Sequence, residues 1–398
     1  MTNIAILGFG VVGGGVADLI TANKKQVTAL GADEINIKYI LDLRDFPNSP
    51  FADRVVHDYN VIVNDPDVSV VIEVMGGSHP AYEYTVAALR AGKSVITSNK
   101  EVVAKHGDEF LSLAEEMGVS YRFEAAVGGG IPVISPMIAC VGQNDIYEVR
   151  GILNGTTNYI LTQMFTFGQS FDSALRDAQK KGYAESNPDA DILGTDACRK
   201  IAILAALVTG KLVPTELIHT EGIVNIRSED VKMAEKLGCT IKLVGRCIVK
   251  DGKISVMVAP FFIPADMPLS HVSGVYNAVE VCAEPLGNVM FYGRGAGAGP
   301  TASAVVGDLM QVMRMGANCP APVFEKCNEI ADFNDIPFKH YVAVSSDSAA
   351  ALEAAFPGAS LLHGESECAV LTEEMSERKI EEALASAAVT PLSRIRLI

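Results

Sequence analysis

The sequence predicts an α/β protein: a doubly wound parallel sheet, then an α+β domain, then a short C-terminal tail. Three observations carry this. Residues 2–100 alternate near-continuous apolar strands with helices, the pattern of a parallel sheet covered on both faces. The first strand runs straight into a glycine-rich turn that opens a helix. After "VGGGIPVI" the helices thin out and strand-like segments follow one another, with a hairpin-type Asp251-Gly252 between two of them, as in an antiparallel sheet.

In order, "NIAILGF" reads as a strand, "GGGVADLITANKKQV" as a helix and "INIKYILDL" as a second strand. "VSVVIEVMG" and "KSVITSN" are further β-branched strands with the helix "HPAYEYTVAALRAG" between them, and "EFLSLAEEMGVSYRFEAAV" adds a helix and a strand. "DIYEVRGILN", "KLVGRCIVKDGKISVMVAPFFI" and "NAVEVCA" are the strands of the second sheet. "GRGAGAGPTASAVVGDLMQVMRM" is a glycine-rich loop opening a helix, and the Pro-punctuated residues 318–338 read as a linker. The tail offers "HYVAVS", "ECAVLTEEMSERKIEEALASA" and "LSRIRLI" as a small β-α-β-like unit. The expected division is 1–133 completed by a helix within 300–335, then 134–299, then 338–398.

Composition narrows the function. With 49% hydrophobic and 20% charged residues in 398 the chain is globular, and 398 residues suffice for two or three domains. A formal charge of −16 with no basic stripe argues against nucleic acid or an anionic membrane as partner. Eight scattered cysteines, with no CxxC and no zinc spacing, read as reduced core thiols. "MTNIAILGFG" enters a strand at once, and the longest apolar run, Ile201–Val208, falls short of a ~20-residue span. The expectation is a soluble cytoplasmic protein.

Gly8-Phe9-Gly10-Val11-Val12-Gly13 is a G-x-G-x-x-G in the context that gives it meaning: after a strand, before a helix, inside a βαβ unit. Gly8 would allow the tight turn, Gly10 the close approach of a pyrophosphate, and Gly13 helix–strand packing, with phosphates at the helix N-terminus. The expected domain is therefore of the Rossmann type, binding a nicotinamide dinucleotide. At the end of the second strand, Asp42 suits a ribose 2′-hydroxyl and Arg44 a 2′-phosphate. That leaves NAD and NADP open, with NADP through Arg44 preferred.

"DADILGTDACRKIAILAALV" (189–208) sets Asp196 and Lys200 at i,i+4 on one helix face. A surface ion pair is one reading. Against it, the face of Lys200 continues onto Ile203, Leu204 and Leu207, so a lysine there needs a partner and a cavity. Protonated lysine is a competent acid for carbonyl reduction, and neutral lysine a base for alcohol oxidation at high pH. Glu185 and Asp191, in a loop running into the same helix, would suit an ammonium-bearing substrate. Lys100, after the strand "SVITSN" at the ligand-binding edge of the sheet, is the rival lysine; His79 in "GGSHP" reads as a turn residue.

Together "GFGVVG", "EVMGG", "SNKEVVA", "FEAAVGGGIPVI", "GILNGTTNYIL", "GYAESNPDADILGTDACRK" and "GRGAGAGPTASAVVGD" resemble homoserine dehydrogenase over nearly all of residues 1–335. The resemblance implies reversible NAD(P)-dependent interconversion of L-homoserine and L-aspartate 4-semialdehyde, on the route to threonine and methionine. It implies Lys200 as proton donor with Asp196 as its partner, and Lys100 beside the nicotinamide, assisting cofactor binding and the chemistry. Glu185 would bind homoserine, with Gly182, Asp191 and Thr156 beside it. Gly299 would touch the cofactor, and Arg44 matches the family's 2′-phosphate arginine, supporting NADP. A monovalent cation, usually sodium, would sit at Glu124, Val127, Gly129 and Ile131. A homodimer or homotetramer is expected.

Many relatives end in a threonine-sensing ACT domain. Here residues 340–398 keep the last strand–helix–strand, while the first half lacks the acidic-Pro-Gly loop and looks shortened. Subunit contacts are a remaining use for such a tail. Two other functions compete. A semialdehyde-type aldehyde dehydrogenase needs a nucleophilic cysteine, for which Cys140 and Cys198 are candidates by position. A non-catalytic amino-acid or nucleotide sensor has no need of a Lys200/Asp196/Glu185 constellation.

Overall fold

Strand β1 (Thr2–Leu7) is buried over its last four residues, which is why it carries Ile4, Ala5, Ile6 and Leu7 in succession rather than an alternating pattern. It is central in a six-stranded sheet with β2 (Ile35–Leu41), β3 (Val55–Val56), β4 (Val68–Glu73), β5 (Ser94–Thr97) and β6 (Tyr121–Arg122). The order is β3-β2-β1-β4-β5-β6 and every pairing is parallel. The chain reverses direction across the sheet between β1 and β4, so a crevice opens at their carboxyl ends, where such sheets bind ligands. The computed structural model describes residues 1–31, 33–364 and 366–398.

Helix Val11–Ala22 packs on this sheet, and helix Ala298–Met315 packs on it in turn. Gly15 permits the approach: a Cβ there would lie 3.2 Å from the Ala298 carbonyl oxygen. Val16 and Ile20 meet Val305, Leu309 and Ile72 in one buried cluster. Each such side chain contributes about 1.5–3 kcal/mol, and Leu309→Ala would cost about 2–5 kcal/mol. The helix ends at Met315, before the linker residues. Helix Lys100–Met117 is fixed at both ends: Asn99 accepts the Glu101 N–H across 3.2 Å, and Gly118 closes it at φ 64°.

The chain forms two compact units: Met1–Ile146 with Ala202–Thr215 and Cys282–Asn328, and Tyr147–Ile201 with Glu216–Val281 and Glu329–Ile398. In the second, strands Cys239–Lys250 and Lys253–Pro264 form a long antiparallel hairpin. Its two-residue turn, Asp251-Gly252, has both φ values positive (51° and 73°), the geometry this dipeptide favours. Strand Asp145–Ile152 pairs antiparallel with the first of these.

Strand Ser393–Leu397 lies parallel to Lys253–Pro264 and antiparallel to Pro337–Ser345, so the tail extends the same sheet. The tail holds more elements than its sequence suggests. Helix Ala349–Ala355 and the strand pair Leu361–His363/Glu367–Leu371 fill its first half. "AAALEAA" buries only Leu352, so its small residues give no legible hydrophobic stripe. Among the described residues no helix is long and apolar enough to cross a membrane.

Candidate active site

The fingerprint loop uses its three glycines for three different reasons. Gly8 adopts φ +95°, and a Cβ there would meet Met75 and the Val74 carbonyl at 3.1 Å. At Gly13 a Cβ would fall 2.0 Å from the Gly8 carbonyl oxygen, so only glycine lets the helix start this close to the turn. Around Gly10, the residue capping helix Val11–Ala22, nothing lies within 4 Å of such a Cβ. That open space fronts the backbone N–H groups of a helix with no acidic residue in its first turn, an arrangement suited to a pyrophosphate. Phe9, Val11 and Val12 complete the turn, and Val11 is exposed.

Asp42 and Arg44 are partners of each other. The Asp42 carboxylate accepts the Phe9 N–H (2.8 Å) and the Arg44 N–H, Nε and Nη2 (3.0, 3.0 and 3.1 Å). Arg44 is the main cause that holds the Asp42 carboxyl down at about 2. The guanidinium remains 64% exposed. The acid therefore braces the glycine loop while the arginine faces solvent, which the sequence reading, treating them as rivals, did not anticipate. Lys100 opens helix Lys100–Met117 in this unit. Gly299 lies in the first turn of helix Ala298–Met315, with no atom within 4 Å of where a Cβ would stand.

In the second unit, Gly194 (φ +87°) separates the short helix Asp189–Ile192 from helix Thr195–Thr209. It packs against Thr220 and the Glu221 carbonyl, where a larger residue would clash at 3.1–3.2 Å. The helix that follows places Lys200 one turn after Asp196, with Nζ donating to Asp196 Oδ2 across 2.8 Å and to the Leu153 carbonyl across 2.7 Å. Both residues are buried, 7% and 5% exposed, so this is not a surface ion pair. Removing one partner of such a pair costs about 3–5 kcal/mol, because the other charge is left uncompensated.

Asn154 was not singled out from the sequence. Its Nδ2 donates to Asp191 Oδ1 (2.7 Å) and to Asp196 Oδ2 (2.8 Å), bringing both carboxylates to one amide. Burial raises the Asp191 carboxyl, the Asn154 hydrogen bond opposes this, and the Asp196 charge adds to the rise. Thr156 is buried and donates to the Tyr183 carbonyl (2.6 Å), tying helix Gly155–Phe167 to the 182–185 loop. Gly182 turns that loop at φ +73° in open space. Glu185 is solvent-exposed, with its backbone carbonyl accepting from Gln179 (3.2 Å). The structure thus brings together Lys200, Asp196 and Asp191, and leaves Glu185 on the open loop.

The Glu124 carboxylate accepts the N–H groups of Val133, Ile134 and Ser135 at 2.7, 2.8 and 2.7 Å. Gly129 (φ +57°) bends the intervening loop so tightly that a Cβ would lie 2.3 Å from the Gly295 carbonyl oxygen. Among the described residues, the carbonyls of Val127, Gly129 and Ile131 accept no backbone hydrogen bond between elements. Backbone carbonyls in a glycine-bent loop beside a carboxylate are hard oxygen donors of the kind that suit an alkali cation.

Among the described residues no disulfide joins the eight cysteines; seven are buried, and Cys140, expected in the core, is exposed. Burial raises Cys198 above the ordinary thiol value, the opposite of what a nucleophile requires.

Comparison with known proteins agrees with this geometry. Residues 8–124 match the homoserine dehydrogenase NAD-binding domain, and residues 132–310 match homoserine dehydrogenase. The homoserine dehydrogenase of Synechocystis is 43% identical over 320 residues, 78% of this chain and 73% of that one. The crystal structure of a Thiobacillus denitrificans homoserine dehydrogenase superposes with a TM-score of 0.90 at 33% identity, covering 100% of this chain and 98% of that one. A hyperthermophilic archaeal homoserine dehydrogenase in complex with NADPH superposes with a TM-score of 0.67 at 29% identity, covering 78% and 97%. With a nucleotide-binding sheet, a buried Lys–Asp pair and these relatives, the chain belongs to the homoserine dehydrogenase family.

Proposed function

We propose that Lys200 exchanges the proton in the interconversion of L-homoserine and L-aspartate 4-semialdehyde, the reaction of the threonine and methionine route. The observation that supports this best is the buried Lys200–Asp196 pair with Asp191 held beside it. In the reducing direction Nζ gives a proton to the aldehyde oxygen; in the oxidising direction neutral Nζ removes it from the hydroxyl. Asp196 and the Leu153 carbonyl aim the amine. Asp191, with Glu185 from the open loop, draws the substrate ammonium, and Thr156 and Gly182 shape the wall beside it. The bound nicotinamide cofactor supplies or accepts the hydride.

We assign cofactor binding to Gly8, Phe9, Gly10, Val11, Val12, Gly13, Lys100 and Gly299, and favour NADP. Arg44 is exposed enough to leave Asp42 for a 2′-phosphate, and the archaeal relative was solved with NADPH. Lys100 would steady the nicotinamide end. Glu124 with the Val127, Gly129 and Ile131 carbonyls would hold a sodium ion, steadying the loop. We further propose a homodimer or homotetramer in the cytoplasm, where the eight cysteines stay reduced.

The test is homoserine-dependent formation of reduced nicotinamide at alkaline pH, with NADP and NAD each titrated and sodium varied. Absence of turnover with either cofactor contradicts the assignment. Of the two cysteines an aldehyde dehydrogenase could use, Cys198 has its thiol raised by burial, while the exposed Cys140 is tested by iodoacetamide, to which insensitivity is expected.

A further inference from the structure

Asn154 ends strand-like backbone (φ −130°, ψ 119°) and caps helix Gly155–Phe167, its Oδ1 accepting the Thr157 N–H across 2.9 Å. That bond fixes which way the amide faces. With oxygen committed to an N–H, the NH₂ group points away from the helix and gives one hydrogen to Asp191 and the other to Asp196. Asn154 is itself buried, at 5% exposure.

Those two acids lie 37 and 42 residues away in sequence, on separate helices. The turn at Gly194 keeps these two carboxylates, five residues apart, close to each other, where they repel. A neutral side chain with two donors joins them without altering the charge of the site. An arginine would cancel a charge and compete with Lys200; an aspartate would add a third negative charge. With the amide, the carboxylates keep their own charge, which suits the ammonium of an amino-acid substrate. Asp196 Oδ2 accepts from both Asn154 and Lys200, and the Leu153 carbonyl, one residue earlier, accepts from Lys200 as well.

We propose that Asn154 is the positioning residue of the proton transfer: its amide fork holds Asp191 and Asp196 and, through Asp196, aims Lys200. This rests on the assignment of Lys200 above. The amide fork bonds the charged groups Asp191 and Asp196, and Asp196 in turn bonds Lys200. Strand Cys239–Lys250 packs here through Gly245, against Leu153 and Ile201, and so brings no charge at that point.

The helix cap and the fork are separable, because aspartate and serine also cap helices well. Asn154→Asp keeps the acceptor and the shape but loses both donors and adds a carboxylate. The expected result is a kcat for homoserine oxidation lower by ~10²-fold with cofactor affinity close to the parent, and a lower melting temperature because a third carboxylate is buried beside two. The alkaline rise of kcat should move to higher pH, since another carboxylate holds the Lys200 proton more tightly. Asn154→Ser should lose kcat similarly without that upward move, and it carries the test alone if the aspartate variant does not fold.

A folded variant of either kind with parental kcat and pH profile overturns the proposal. A purely structural role would lower the melting temperature of either variant while leaving kcat at the parental level, and that outcome also overturns it. If Lys200→Ala is inactive while Asn154→Asp is unaffected, only the positioning role fails. If Lys200→Ala is active, the proton-transfer assignment fails with it.

Discussion

Lys200 donates to Asp196 one helical turn earlier, across 2.8 Å, and both side chains are buried. The Asp196 carboxylate favours the charged form of the amine, against burial, which disfavours it. Asp196→Asn removes that charge and leaves the geometry nearly unchanged. The lysine then loses its proton more easily, so the alkaline limb of homoserine oxidation moves to lower pH. With the amine less well aimed, kcat falls by ~10²-fold or more. A pH–rate profile checks both effects; an unmoved limb would separate Asp196 from the proton transfer.

Arg44 and Asp42 form a forked pair at the end of β2. Arg44→Ala should raise the KM for NADP by about tenfold or more, as expected for loss of a charge-assisted contact to phosphate. The KM for NAD should change little. Parallel titrations with the two cofactors test this. Equal effects on both would mean that the arginine serves the Asp42 brace and not a 2′-phosphate.

In the tail, Arg396 is 1% exposed and donates to Glu221 at 2.7 and 2.8 Å and to Glu377 at 2.5 Å. Burial pushes the Glu377 carboxyl up, but His340, Arg396 and Arg394 outweigh it and hold it at about 2. This folded value lies below the unfolded one of ~4.3. The stabilisation is therefore present above about pH 4 and is lost as pH falls toward 2. Arg396→Met should cost about 3–5 kcal/mol at neutral pH, and the gap from the parent should narrow below about pH 4. Thermal melts at several pH values measure it; an unchanged melting temperature at pH 7 contradicts it.

The parallel sheet was legible because strands buried on both faces leave uninterrupted apolar runs, and the glycine turn was legible because Gly8 and Gly13 answer steric demands while Gly10 leaves open space. The Lys200–Asp196 contact followed from helical spacing alone. Asn154 did not, since its donors reach across 37 and 42 residues and its own surroundings read as an ordinary helix cap. Asp42 and Arg44 are two residues apart, and sequence cannot tell competition from pairing at that distance. The helix Ala349–Ala355 stayed hidden because alanines carry no hydrophobic period.

The most direct measurement is steady-state homoserine oxidation by Lys200→Ala at alkaline pH, beside a fluorescence titration of its reduced cofactor. The expected result is turnover lower by ~10³-fold or more, with cofactor affinity within about twofold of the parent. Near-parental turnover in Lys200→Ala would contradict the role given to this lysine and leave Lys100 as the residue to test.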